Sequence, residues 1–166
     1  MARRSGREAT GALQLLADAG VASRTHVYEH DPRVGSYGLE AADALGIDPG
    51  RVLKTLVVTT GGSAGDLVAA VVPVSTTLDL KATAAALGVK RVALVDPRRA
   101  ERATGARVGA ISPIGIRGVR RLLLDASAAG HSTVLVSGGR RGLEVELDPA
   151  DLARVCEALV VAIART

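Results

Sequence analysis

The 166-residue chain is 48% hydrophobic, enough to fill one core, but Tyr28 and Tyr37 are its only aromatic residues, so that core is aliphatic and little surface remains for stacking bases. Its net charge of +4, from 21 basic and 17 acidic residues, suits a solvated surface as well as a polyanionic partner. The single cysteine, Cys156, excludes an intrachain disulfide. Arg3-Arg4 is followed by no apolar leader segment, and no stretch approaches the ~18–20 apolar residues that cross a bilayer, so a soluble, cytoplasmic protein without membrane association is expected.

Residues 1–9 read as a flexible N-terminus and 10–166 as one domain. A first helix is expected from Thr10 to Ala19, stopped by Gly20, then a strand over Arg24–Tyr28 and a loop at Glu29-His30-Asp31-Pro32. Ser36 is placed to cap a second helix that Gly46 ends. Val52–Thr60 and Leu67–Val74, joined by the turn Gly61–Gly65, read as a hairpin, its second strand apolar enough to be buried on both faces. A helix starting at Thr77 or Asp79 runs to Gly88, a strand covers Val92–Val95, and Asp96-Pro97 opens a helix closed by Gly105. Gly109–Gly118 is a loop. Short strands follow at Leu122–Leu124 and Thr133–Val136, then the turn Ser137–Gly142 and the alternating strand Leu143–Leu147. Asp148-Pro149 starts a last helix whose stripe is Leu152, Val155, Cys156, Leu159, Val160 and Ile163. The sum is an α+β, mixed α/β fold: one curled, mixed sheet with helices outside it.

Lys54 is the most informative residue. Period two sets it beside Val52, Leu56 and Val58, where an ammonium is costly without a partner or a wet cavity. It either faces solvent or a structural carboxylate, or it sits in a pocket to fix an anionic or ester group. The loop Gly109-Ala110-Ile111-Ser112-Pro113-Ile114-Gly115 is either a surface turn or a place where bare N–H groups polarise a carbonyl. Ser137-Gly138-Gly139-Arg140-Arg141-Gly142 lacks the ending of a P-loop and reads as a hairpin turn with exposed arginines. Cys156 lies on a core stripe, no triad signature surrounds Ser112, Ser137 or Thr55, and His26 and His30 do not share a helical face. Neither a protein nucleophile nor a metal or other cofactor is indicated, which leaves positioning, or a group on the substrate, to do the chemistry.

Seven stretches in order, from His26-Val27-Tyr28-Glu29-His30-Asp31-Pro32 through Val52-Leu53-Lys54-Thr55-Leu56 to Val136–Leu147, resemble the YbaK/EbsC family, related to the editing domain of bacterial prolyl-tRNA synthetases. The resemblance implies a barrel-like mixed sheet and cleavage of the ester joining a wrong amino acid, cysteine above all, to the 3′ acceptor end of tRNA for proline. It assigns the essential lysine to Lys54, its neighbour to Thr55, and the Gly-x-x-x-Pro loop to Gly109–Pro113. Pocket aromatics fall on Tyr28 and Tyr37, and an acidic pocket residue on Glu144, where relatives carry Asp. Substrate contacts are expected from Ile111, Ser112, Pro113, Gly115 and Ser137, and an oxyanion site from Gly109 and Ala110. Ala110 stands where a glycine is common. The substrate's own thiol would attack, prolyl-tRNA synthetase is the implied partner, and Arg98, Arg99, Arg102, Arg120, Arg121, Arg140 and Arg141 are candidates for the tRNA backbone. The rivals are a deacylase for alanine or another small amino acid, and a non-catalytic binding module.

Overall fold

A hairpin with no polar interruption on its second strand organises the molecule. In the computed structural model, which describes residues 10–61 and 65–166, β2 (Leu53–Thr59) pairs antiparallel with β3 (Leu67–Pro73), setting Lys54 opposite Val72. The expected flexible N-terminus, 1–9, and the centre of the hairpin turn, 62–64, lie outside the described residues.

β3 is central. It runs parallel to β6 (Arg121–Asp125), which is parallel to β9 (Leu159–Val161), while β2 carries β5 (Ala93–Leu94) on its other edge. Successive β3 residues enter opposite cores. Ala69 and Val71 pack with Leu16, Leu124, Val136, Val145 and Leu152; Ala70 and Val72 pack with Val58, Ala84, Leu123 and Ile163. Burial on both faces is what its unbroken apolar run predicts. A second sheet, β1 (Ser23–Val27), β8 (Leu143–Leu147) and β7 (Val134–Ser137), is antiparallel throughout and meets the first at a Val52–Leu135 bridge. The short β4 (Thr77–Leu78) pairs with β10 (Ala164–Arg165). The expected barrel-like curl is not realised as a closed ladder: β5 and β9 remain edges of the five-stranded sheet.

The helices follow their local signals. α1 (Gly11–Asp18) is capped by the Thr10 hydroxyl. α3 (Leu80–Leu87) is capped by Asp79, α4 (Pro97–Thr104) by Asp96, and α5 (Pro149–Val155) by Asp148. Gly46, Gly88 and Gly105 end α2 (Tyr37–Leu45), α3 and α4 in left-handed geometry that only glycine adopts at no cost. Ser36 occupies the cap position of α2, but its hydroxyl makes no cap bond.

The last helix is corrected. α5 stops at Val155, and Glu157, at φ +49°, turns the chain into β9. Leu159, Val160 and Ile163 fit a helical stripe and a strand equally well, and β-branched residues favour the strand. The open edge of β6 supplies the ladder, and the Asp125 carboxylate accepts the N–H groups of Ile163 and Ala164, each at 2.8 Å.

Candidate active site

A cavity of about 270 Å³ opens where the start of β2, the first turn of α2, the ends of β7 and β8, and the 108–111 loop converge. Lys54 enters from β2. Its ammonium is half-buried and donates to the Thr76 carbonyl at 2.8 Å. It forms no ion pair among the described residues, and burial lowers its basicity. A cation held on a single neutral carbonyl retains donors for an incoming anion or ester oxygen.

Glu144 lines the same cavity from β8, between the buried Leu143 and Val145. It is 6% exposed, its Oε2 has no partner, and desolvation pushes its carboxyl up to about 8. At neutral pH it is therefore largely the uncharged acid. One cavity thus holds an unpaired cation and an unpaired acid, both displaced from their ordinary ionisation by burial, a pattern concentrated at functional sites.

The loop is held by side chains around it. Gly109 sits at φ +87°, and a Cβ there would overlap the Tyr37 ring. Arg141 lies 4.4 Å from the centre of that ring, and its Nη2 donates to the Val108 carbonyl at 2.8 Å. Within the described residues the N–H groups of Gly109 and Ile111 make no hydrogen bond, whereas that of Ala110 donates to the Arg107 carbonyl at 2.9 Å.

Of the residues singled out in the sequence, Lys54, Tyr37, Thr55, Gly109, Ile111, Ser137 and Glu144 line this cavity. The others do not. Ala110, Ser112 and Gly115 face a separate hollow of about 480 Å³ across the loop. Pro113 is buried, and its carbonyl accepts the Cys156 thiol at 3.4 Å. Tyr28 packs with Ala41, Val52 and Leu135; burial first, then the Glu144 and Glu40 charges, pushes its hydroxyl up to about 12. Sequence reading missed Ser36, Gly38, Val108 and the Thr76 carbonyl. Gly38 carried a legible signal: a glycine inside a helical pattern needs a reason, and here a Cβ would strike Val74. The Thr76 acceptor is backbone, which no residue type announces.

His26 and His30 turn to different carboxylates, Glu146 at 2.8 Å and Glu40 at 3.0 Å. Arg120 and Arg99 are drawn elsewhere, to Asp66 and the Gly65 carbonyl. No described helix is long and apolar enough to cross a membrane.

Residues 31–155 match the model of the aminoacyl-tRNA editing domain. Over 108 residues the chain is 42% identical to a protein of Enterococcus faecalis provisionally named Cys-tRNA(Pro)/Cys-tRNA(Cys) deacylase EbsC, covering 65% of each. It is 30% identical over 110 residues to the proline–tRNA ligase of Nitratidesulfovibrio vulgaris, 66% of this chain but only 19% of the ligase. The fold matches the crystal structure of a provisionally assigned trans-editing enzyme for prolyl-tRNA synthetase, with a TM-score of 0.78, 23% identity and full coverage of both chains.

Proposed function

The chain belongs to the aminoacyl-tRNA editing domain family, and from that premise we propose that it is a trans-acting deacylase that cleaves the ester of mischarged tRNA for proline, Cys-tRNA(Pro) in particular. The observation that carries this reading is the half-buried Lys54 ammonium beside the Gly109 and Ile111 N–H groups in one small cavity, the first free of any carboxylate and the others unbonded among the described residues. The 42% identical relative, itself named for Cys-tRNA deacylation, supports the substrate class. The shared segment in proline–tRNA ligases supports tRNA for proline, with the synthetase as partner and the cytoplasm as the place of action.

In this reading Lys54 holds the terminal adenosine or its phosphate. The ester carbonyl points at the N–H groups of Gly109 and Ile111; the bond already made by Ala110 N–H removes it from the oxyanion role. The substrate thiol adds to its own ester carbonyl. The S–C bond forms, the C–O bond to the ribose breaks, the thiol proton ends on the ribose oxygen, and water later opens the cyclic thioester. Orientation and preorganised donors supply the acceleration, several kcal/mol in comparable sites. Glu144 faces the amino acid and, when ionised, pairs with its α-ammonium.

The deciding experiment is deacylation of Cys-, Ala- and Ser-tRNA(Pro) by the wild type and Lys54→Ala. Cys-tRNA should be cleared by the wild type alone, with the serine and alanine esters surviving. Clearance of the alanine ester would replace the thiol mechanism by that of a deacylase for small amino acids. Binding without turnover of any ester would overturn the enzymatic reading.

A further inference from the structure

The far side of the 109–115 loop carries two more hollows that the proposed chemistry does not use. One, of about 480 Å³, is flanked by Arg102 and Arg117; the other, of about 400 Å³, by Arg107, Arg140 and Arg141. They share Gly105, Ala106, Ala110 and Gly139, so they adjoin along one side of the loop. The larger reaches Ile111, which also lines the cavity of Lys54.

We propose that this pair of hollows is a phosphate track for the unpaired 3′ end of an RNA strand, its arginines leading the backbone around the loop to the cavity of Lys54. The proposal rests on the deacylase reading and adds the route by which the substrate's RNA enters.

Five observations carry it. Among the described residues no carboxylate lines either hollow, whereas other arginines of this chain are neutralised: Arg51 by Glu146, Arg120 by Asp66, Arg154 by Asp151. The side chains of Arg102, Arg107 and Arg117 are exposed and bond to nothing in the described residues. Arg141 spends Nη2 on the Val108 carbonyl, yet its buried Nε has no partner. The Arg102, Arg107 and Arg117 guanidinium groups, without counter-charge among the described residues, repel one another, and a chain of phosphates relieves that repulsion while matching the fork geometry of each donor. The shared floor is small or bare, and a Cβ at Gly105 would meet open space, so a backbone can lie close to it. Neither hollow is lined by an aromatic residue, so recognition there runs through phosphate and not through stacked bases.

The test is fluorescence anisotropy of a short labelled single-stranded RNA titrated with the whole protein over a range of salt. Arg102→Gln/Arg117→Gln should weaken binding about tenfold or more and flatten the plot of log K against log salt by ~0.7 for each phosphate no longer neutralised. Arg24→Gln/Arg154→Gln removes equal charge away from the hollows and should change neither by more than a small fraction. Equal losses in the two pairs, or a strand bound with no salt dependence, would overturn the track. The RNA carries no amino acid, so this result is independent of deacylation: Lys54→Ala with full activity would end the proposed function and leave the track standing.

Discussion

The two sides of one loop illustrate opposite uses of charge. On the inner side, Lys54 and Glu144 share about 270 Å³, both lack a counter-ion among the described residues, and burial shifts both. On the outer side, Arg102, Arg107 and Arg117 lie in solvent, where water and salt screen them. Few charges in a partly buried place suit chemistry that depends on each atom. Several charges in a wet place give attraction that is additive and salt-sensitive. The loop stands between them: Gly109 faces in, Ala110 and Ser112 face out, and Ile111 borders both sides.

That contrast breaks most readily at Lys54. Replacing it by alanine should lower deacylation a hundredfold or more, the scale on which removing one preorganised donor acts. Thermal stability should hold or rise, since the variant deletes a desolvated cation whose only bond among the described residues is to a carbonyl. Parallel loss of activity and of melting temperature would make Lys54 structural instead. Gly109→Ala should come next. It forces a Cβ onto a φ of +87° and into the Tyr37 ring, which costs on the order of 1–3 kcal/mol and displaces the N–H groups. Urea midpoints and turnover should both fall, and Tyr37→Ala added to it should recover only the part due to the overlap.

Glu144 sharpens the comparison through pH. Its carboxyl, raised to about 8 in the fold and near ~4.3 when unfolded, binds more protons in the native state between those values. Native stability contributed by this group therefore declines as pH rises from about 4.3 to about 8 and is level above. Glu144→Gln should remove that slope, so its melting temperature should gain on the wild type progressively across the window. The opposite trend would show that the ionised form is already paired. If the ionised form is what holds the substrate ammonium, kcat/KM of the wild type should climb towards pH 8 and that of the glutamine variant should not.

Much of this scaffold is legible because its signals are local. Asp79, Asp96 and Asp148 cap helices whose first N–H groups need acceptors, and Gly46, Gly88 and Gly105 end helices where φ turns positive. The Lys54 strand is legible because an ammonium among Val52, Leu56 and Val58 contradicts its surroundings. What sequence hides is decided by partners distant in the chain. Residues 159–161 are a strand because β6 has a free edge, and Asp125 offers an acceptor to the backbone just beyond them. A left-handed Glu157 does there what glycine does elsewhere, so no stop signal appears. The division of the 109–115 loop into inner and outer faces is likewise invisible, since a loop has no fixed period and Tyr37 and Arg141 set its path.

The smallest expected effect concerns the one thiol. Cys156 caps the C-terminus of α5, packs against the core that holds Leu152 and Ile114, and donates to the Pro113 carbonyl at 3.4 Å. Desolvation pushes it up to about 12, so almost no thiolate exists near pH 7. It touches the loop from behind and lines neither the Lys54 cavity nor the arginine track. Cys156→Ser keeps a donor for the Pro113 carbonyl and loses only the apolar bulk of sulfur. Stability should drop by about 1 kcal/mol, within the range of conservative core changes, and deacylation of Cys-tRNA should stay within about twofold of wild type. Since the proposal gives the attacking sulfur to the substrate, abolished turnover in a folded Cys156→Ser protein would transfer the nucleophile to the enzyme and reverse the direction of the chemistry across the loop.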